Sequence, residues 1–243
     1  LNLMNMTSGI YSYTENLSYR AELAKNDGKI HYLTDNDLIR LAMEKLRYFA
    51  PGQGWHYSDT AYLILGKCIQ AISGRTPRQT LEQRLIAPAY PKLSNTTFFK
   101  SKTTDLVPGF SIDNKSFDTP IALGSLAREI YSTTEDMANW FAMLLSGEIL
   151  NKDAMKKLTT LYSKKTGRPV SADATGYSLA LDHTTTACGS LWYYPGGSRG
   201  YSTFALWLPT LGTSIAFAMN KEADFWRILS DFLHLINCPL NES

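Results

Sequence analysis

Pro51-Gly52-Gln53-Gly54-Trp55-His56-Tyr57-Ser58-Asp59-Thr60-Ala61-Tyr62-Leu63-Ile64-Leu65-Gly66 is the stretch on which the reading of this chain turns. A Pro-Gly turn runs into Tyr-Ser-Asp, and an apolar helical run follows at once. Asp59 stands where a helix N-cap belongs, since its carboxylate can accept from the orphan N–H groups of a first turn. The helix is expected to be buried from Thr60 to Ser73 and closed by Gly74. That puts the Tyr57 hydroxyl at a loop–helix junction, near the positive end of the helix, where a phenol is held and exposed. Phenols titrate near about 10, so a tyrosine serves as general base only beside a positive neighbour. Taken alone, Tyr-Ser-Asp reads as a capped helix with an ordinary half-buried tyrosine.

Upstream of it, Thr34-Asp35-Asn36-Asp37 has the form of a capping box and opens a helix with Leu38, Leu41, Ala42 and Leu46 on one face. Residues 11–33 are rich in Tyr and Ser without period and read as loop and short turns. Downstream, Thr76-Pro77 starts a helix with Leu81, Leu85 and Ile86 inward, ended by Pro88 and Pro91. Residues 92–130 read as loops with strand-like pieces. A Ser or Thr cap at 132–133, with Asp136 following, starts a helix carrying Met137, Trp140, Phe141, Leu144 and Leu145 and ended by Gly147. The last third changes texture. Tyr177–Asp182, Ser190–Tyr194, Tyr201–Leu208 and Thr213–Asn220 are strand-like, Pro209–Gly212 is a hairpin connection, and residues 222–237 form an amphipathic helix.

With 24 basic and 22 acidic residues, a net charge of +2 and no basic run, binding to nucleic acid or a membrane surface by charge is not indicated. No apolar run is long enough to span a membrane, and no secretory signal is visible. At 44% hydrophobic and 19% charged, the 243 residues are globular material, enough for one sizeable core. Cys68, Cys188 and Cys238 lack metal-ligand spacing and permit at most one disulfide; Cys68, inside a helical run, reads as a small buried hydrophobe. His31, His56, His183 and His234 are scattered, and no Gly-x-Ser-x-Gly elbow is present to serve them. Only His56, adjoining Tyr57, stands out.

The order of four stretches is more specific than any one of them. Pro51–Gly66 resembles the second motif of the serine β-lactamase and penicillin-binding-protein superfamily, in its class C β-lactamase, DD-peptidase and esterase branch. Leu3–Ile10 resembles that branch's Leu-Leu-x-His-Thr-Ser-Gly-Leu stretch, and Ile130–Met137 its Gly-Leu-x-Ser-Thr-x-x-Asp-Leu, although Ala127-Arg128-Glu129 replaces a usually glycine-rich approach. Tyr194-Pro195-Gly196-Gly197-Ser198-Arg199-Gly200 sits where the superfamily keeps Lys/His-Thr/Ser-Gly, on an edge strand beside the nucleophile. There Tyr194 replaces a cation and Pro195 replaces a hydroxyl that in relatives contacts a substrate carboxylate; Arg199 offers a cation nearby.

The resemblance implies an α+β, β-lactamase/transpeptidase-like fold: an antiparallel sheet flanked by helices, with a helical lobe. It implies a single domain over 1–243, mostly helical lobe over 1–175, then strands and a C-terminal helix over 176–243. The family's nucleophile, the serine of Ser-x-x-Lys, is absent: no serine here has lysine three residues on, and Ser125-Leu126-Ala127-Arg128 is the nearest imitation. By the family's spacing the motif falls before Leu1, so the N-terminal part of the fold is expected to be missing. An exposed apolar face would then favour dimerisation or pairing with an N-terminal fragment.

The implied activity is acyl transfer to water from an ester, amide or lactam. Tyr57 would be the acid/base, Asp59 would position substrate and lysine, and the Gly197 N–H would help bind the oxyanion. Tyr194, Pro195, Gly196, Ser198 and Arg199 would line the substrate. The other reading is an inactive relative that binds a peptide, glycan or protein. Neither implies a metal or organic cofactor, and the family's habit implies a periplasmic or secreted location.

Overall fold

The structure is a computed structural model that describes residues 1–25, 33–89, 91–98, 107–117, 130–198 and 200–241. His31, Ser125, Ala127-Arg128-Glu129 and Arg199 therefore lie outside the described residues. In chain order the elements are α1 (Leu17–Lys25), α2 (Asp35–Met43), α3 (Asp59–Ser73), α4 (Pro77–Leu81), β1 (Thr97–Phe98), β2 (Gly109–Phe110), β3 (Ser116–Phe117), β4 (Ile130–Tyr131), α5 (Thr134–Leu145), α6 (Lys152–Leu158), β5 (Gly176–Tyr177), β6 (Asp182–Thr186), β7 (Gly189–Ser198), β8 (Tyr201–Leu208), β9 (Thr213–Met219) and α7 (Phe225–Leu235). The described residues form two compact units, one drawn from 1–103, 121–132 and 164–168, the other from 104–120, 133–163 and 169–243.

In the first unit, Tyr13, Tyr19, Leu38, Ala42 and Leu63 make the core. The Thr34 capping box forms as expected: its hydroxyl accepts from the Asp37 N–H, and the Asp37 carboxylate accepts from the Thr34 N–H. Thr76 and Gln79 repeat the device ahead of α4, which passes into a wider helical turn over Glu82–Ile86. α1 lies where only loop and turns are expected. Its start is held by Asn16, whose Oδ1 accepts from the Ser18 and Tyr19 N–H groups.

Three apolar positions differ from expectation. Leu46 lies beyond the end of α2 and is 92% exposed. α3 buries Thr60, Ala61, Leu63 and Gly66, but its second half leaves the core, so Ile72 is 87% exposed and Cys68 is exposed and free. The run is mostly apolar, interrupted by Lys67 and Gln70, and its buried residues fall in its first two turns. Gly74, at φ 66°, ends it as expected.

The second unit is built on a five-stranded antiparallel sheet in the order β5-β6-β7-β8-β9. Side chains alternate between its two faces. Trp192, Ala205 and Trp207 join Phe141 of α5, with Leu158 and Leu161, on one face. Leu191, Tyr193, Phe204, Leu206 and Leu208 join Leu229 and Leu233 of α7 on the other. Covered on both faces, β8 reads as a continuous apolar run. The strand expected over Tyr177–Asp182 is broken: Ser178 N–H donates to the Leu181 carbonyl at 2.8 Å and Ala180 takes φ 73°, so the chain turns and β6 begins at Asp182.

A Cys188–Cys238 disulfide ties the β6–β7 turn to the segment after α7 across 50 residues of chain, beside a bond from Ala187 N–H to the Pro239 carbonyl. His183 on β6 is fully buried, its Nδ1–H donating to the Ala174 carbonyl at 2.8 Å and its ring against Trp192. Burial holds its pKa below the usual histidine value.

Two measurements check this unit. Replacing both Cys188 and Cys238 by Ser should lower the unfolding free energy in urea by about 2–4 kcal/mol, since it frees a loop of this length in the unfolded chain; an unchanged midpoint would refute the bridge. The unfolded His183 takes a proton more readily than the buried one. Stability should therefore be full above its ordinary value of 6.5 and fall as pH drops from there, and His183→Gln should flatten that part of the profile.

Candidate active site

The Tyr57 turn is assembled from backbone contacts between two distant stretches of the first unit. Gly52, His56 and Tyr48 donate N–H bonds to the carbonyls of Thr7, Met6 and Gly9 at 2.8, 3.0 and 2.9 Å. The approach is closest at Gly9 (φ 70°), where a Cβ would lie 2.0 Å from the Phe49 carbonyl oxygen. A Cβ on Gly167 would meet the Gly54 carbonyl at 2.3 Å. The Thr-Ser-Gly marker is therefore part of the backbone stretch on which the motif rests. Trp55, inside the motif, has Lys164 over its ring at 5.3 Å.

The helix start departs from expectation. Ser58, not Asp59, is the N-cap: it is buried, and its Oγ accepts from the Ala61 N–H at 3.3 Å. Asp59 is the first residue of α3. Its Oδ2 accepts from Thr14 Oγ1 at 2.8 Å and from Ser12 Oγ at 3.5 Å, while its own N–H donates to Ser12 Oγ at 3.1 Å. Thr60 is buried and accepts from the Tyr13 N–H at 3.0 Å. A negative residue in this first turn suits the helix dipole, but its partners are hydroxyls some 45 residues away in sequence. Tyr57 itself is 40% exposed.

Beside it, His56 and Tyr48 stack with ring centroids 3.7 Å apart, and Tyr11 covers the other side of Tyr48 at 5.3 Å. The Tyr48 hydroxyl donates to Glu15 Oε2 and accepts from the Ser12 N–H. Burial, reinforced by the bond to Glu15, pushes the Tyr48 pKa far up, so this phenol stays a donor. Neither Glu15 nor Tyr48 is signalled by the sequence; they are reached only through the fold.

In the second unit, the glycine-rich motif occupies the end of β7. That strand is not an edge over 189–193, where it lies between β6 and β8. The β6 ladder ends at Asp182↔Tyr193, and from there Tyr194, Pro195, Gly196, Gly197 and Ser198 continue against β8 alone, opposite Ala205, Phe204, Thr203, Ser202 and Tyr201. Gly196 is required by Thr203, whose Oγ1 would lie 2.5 Å from a Cβ there, whereas the space over Gly197 is open. Tyr194 is half-buried against the α5 face, its ring 6.5 Å from that of Tyr177.

The following turn is held by the β2–β3 hairpin. Phe110 N–H reaches the Gly200 and Asn220 carbonyls, Tyr201 Oη donates to the Val107 carbonyl at 2.6 Å, and Gly200 N–H donates to Glu222 Oε1 at 3.3 Å. The structure thus groups Tyr57 with Asp59 on one rigid turn, and Tyr194 through Ser198 on one strand. Among the described residues, no three His, Cys, Asp or Glu side chains are placed to hold a metal ion, and no helix is long and apolar enough to cross a membrane.

An antiparallel sheet between helices, with these two motifs in this order, is the β-lactamase/transpeptidase-like fold. A profile described as Beta-lactamase matches residues 1–235, and the chain belongs to that family. It is similar to penicillin-binding protein 4* of Bacillus subtilis (strain 168), 20% identical over 241 residues, covering 92% of this chain and 51% of that protein. This chain therefore spans about half the length of that relative. Among solved structures, a D-stereospecific amidohydrolase from Streptomyces sp. superposes with a TM-score of 0.81 at 28% identity, over 94% of this chain and 70% of that one. A penicillin-binding protein from Bacillus halodurans does so at 0.78 and 19%, over 96% and 71%. The D-amino acid amidase of Ochrobactrum anthropi SV3 gives 0.72 and 17%, over 97% and 75%.

The cap assignment is directly testable. Ser58→Ala should cost about 1 kcal/mol in urea unfolding, the ordinary loss of an N-cap; if the mutation is silent, Ser58 is not the cap.

Proposed function

We propose that this chain is part of a serine hydrolase of the β-lactamase, DD-peptidase and esterase type. A serine and lysine from outside these 243 residues would complete it, since no Ser-x-x-Lys occurs within them. The serine Oγ attacks the carbonyl carbon of an ester, amide or lactam. As it does so, Tyr57 takes the serine proton and passes it to the leaving alcohol or amine while that bond breaks. Water then attacks the acyl-enzyme, Tyr57 takes its proton and returns it to the serine Oγ as the ester bond breaks, and the acid is released. The Gly197 N–H is one donor to the oxyanion of each tetrahedral step.

The observation that carries this reading is the placement of Tyr57: exposed, on a turn whose backbone is fixed by three bonds, immediately before the N-cap of α3. Open space over Gly197 supports a substrate lying along β7. Asp59, with Oδ2 engaged by Thr14 and Ser12, holds the turn to residues 12–14 as well as any substrate role it has.

Tyr194 supplies no cation for Tyr57, and Pro195 lacks the hydroxyl that relatives set against a substrate carboxylate, which favours an esterase or peptidase over an efficient β-lactamase. The names of the Streptomyces and Ochrobactrum relatives make D-amino-acid amides the first amides to try. The same two residues favour the second reading, an inactive relative that binds a peptide, glycan or protein with that strand. A Cys188–Cys238 bridge fits an oxidising compartment, periplasmic or secreted. Pairing with an N-terminal fragment or a second copy belongs to the same proposal.

The test is covalent labelling of the 243-residue chain, and of any longer natural form, with a fluorophosphonate and a fluorescent penicillin, the adduct located by mass. The hydrolase reading expects a label on a serine of the longer form, lost in its Tyr57→Phe variant. A folded longer form that takes neither label gives way to the binding reading.

A further inference from the structure

The groups around His56 converge on one function. Its Nδ1 lies 2.8 Å from the carbonyl oxygen of Tyr57. A carbonyl only accepts, so Nδ1 must carry the proton. Its Nε2 faces Glu15 Oε1 at 3.7 Å, a contact that is an ion pair only in the imidazolium state. Its face is stacked on Tyr48, interplanar angle 19°, and Tyr48 is itself pinned by the Ser12 N–H, by Glu15 and by the Tyr11 ring. The ring is thus fixed from its face and both nitrogens, and the bond it makes is to the peptide of Tyr57.

We propose that His56 is a positioning residue: held by Tyr48 and Glu15, it donates Nδ1–H to the Tyr57 carbonyl and so sets the backbone from which the Tyr57 phenol projects. The consequence for rate rests on the hydrolase reading above; the tautomer and the bond do not. Neutral imidazole has one N–H to give, and here it is committed to Nδ1. Glu15 Oε1, 3.7 Å from Nε2, pairs with the ring only when that nitrogen also carries a proton, and the Nδ1–H bond to the Tyr57 carbonyl is the same in that state. The Tyr48 phenol, kept protonated by burial and by Glu15, cannot accept the His56 proton in exchange. His56 therefore acts through Tyr57 without touching the reacting atoms.

Asparagine and glutamine separate the two nitrogens, because an Asn amide falls near Nδ1 and a Gln amide near Nε2. On the labelled form that turns over an ester, His56→Ala and His56→Gln should lower kcat by between about tenfold and a hundredfold, the scale of a small misplacement of a reacting group, with KM little changed. His56→Asn should recover most of that loss. The independent readout is nuclear magnetic resonance of the imidazole and of the Tyr57 carbonyl carbon. Wild type should show a protonated Nδ1, and the carbonyl shift should move in the Ala and Gln variants and return in Asn. A neutral Nε2–H tautomer overturns the proposal, as does an Asn variant no better than Ala. A wild type without turnover overturns the hydrolase reading alone, and the tautomer and carbonyl shift then decide the positioning bond by themselves.

Discussion

The contact between the α-carbon of Gly9 and the carbonyl of Phe49 is the constraint on which the Tyr57 turn depends. No side chain fits between those two backbones, and the positive φ of Gly9 is one that glycine adopts without strain. Because they lie so close, Tyr48, Gly52 and His56 can bond to Gly9, Thr7 and Met6 in succession. A loop of Pro, Gly and Gln has little intrinsic order; here it is ordered by a second stretch of backbone. The backbone from which the Tyr57 phenol projects inherits that order.

The three residues after Tyr57 divide the remaining work. Ser58 satisfies an orphan donor of α3, Asp59 ties its first turn to residues 12–14, and Thr60 accepts from Tyr13 N–H inside the core. Each removes a different freedom: the fray of the helix end, its swing, and its depth. Burial then enters through Leu63 and Gly66, and the helix emerges at Cys68 and Ile72 with nothing left to cover. A helix anchored so heavily at one end need not be buried at the other.

That division explains what was legible in the sequence. Thr34, Thr76, Gly74 and Gly212 announce their structures because caps and left-handed turns are local, decided within four residues. Ser58 and Asp59 are both good caps, and the choice between them falls to Thr14 and Ser12, which no local pattern connects to them. The start of β6 is not local for a related reason. Asp182 closes the expected strand but opens the next one, and His183 after it is buried against Trp192 and bonded to a carbonyl nine residues back. Glu15 and Tyr48 carry no motif at all, and their meaning comes from the ring of His56 lying against them.

Tyr194 and Pro195 alter the chemistry of the third motif while leaving its geometry intact. Proline has no N–H to donate, so it is tolerated in a sheet only where that side of the strand has no ladder to complete. The β6 ladder stops at Tyr193, two residues before Pro195, while pairing with β8 runs on without a break through Pro195↔Phe204 to Ser198↔Tyr201. The substitution is accommodated because the sheet has already released that edge. It also fixes what the edge can offer. Position 195 contributes no donor, Gly196 is closed on one face by Thr203, and the first residue with both an N–H and open space above it is Gly197. The free edge of β7 is thereby narrowed to the Gly197 peptide unit, over which the structure leaves open space.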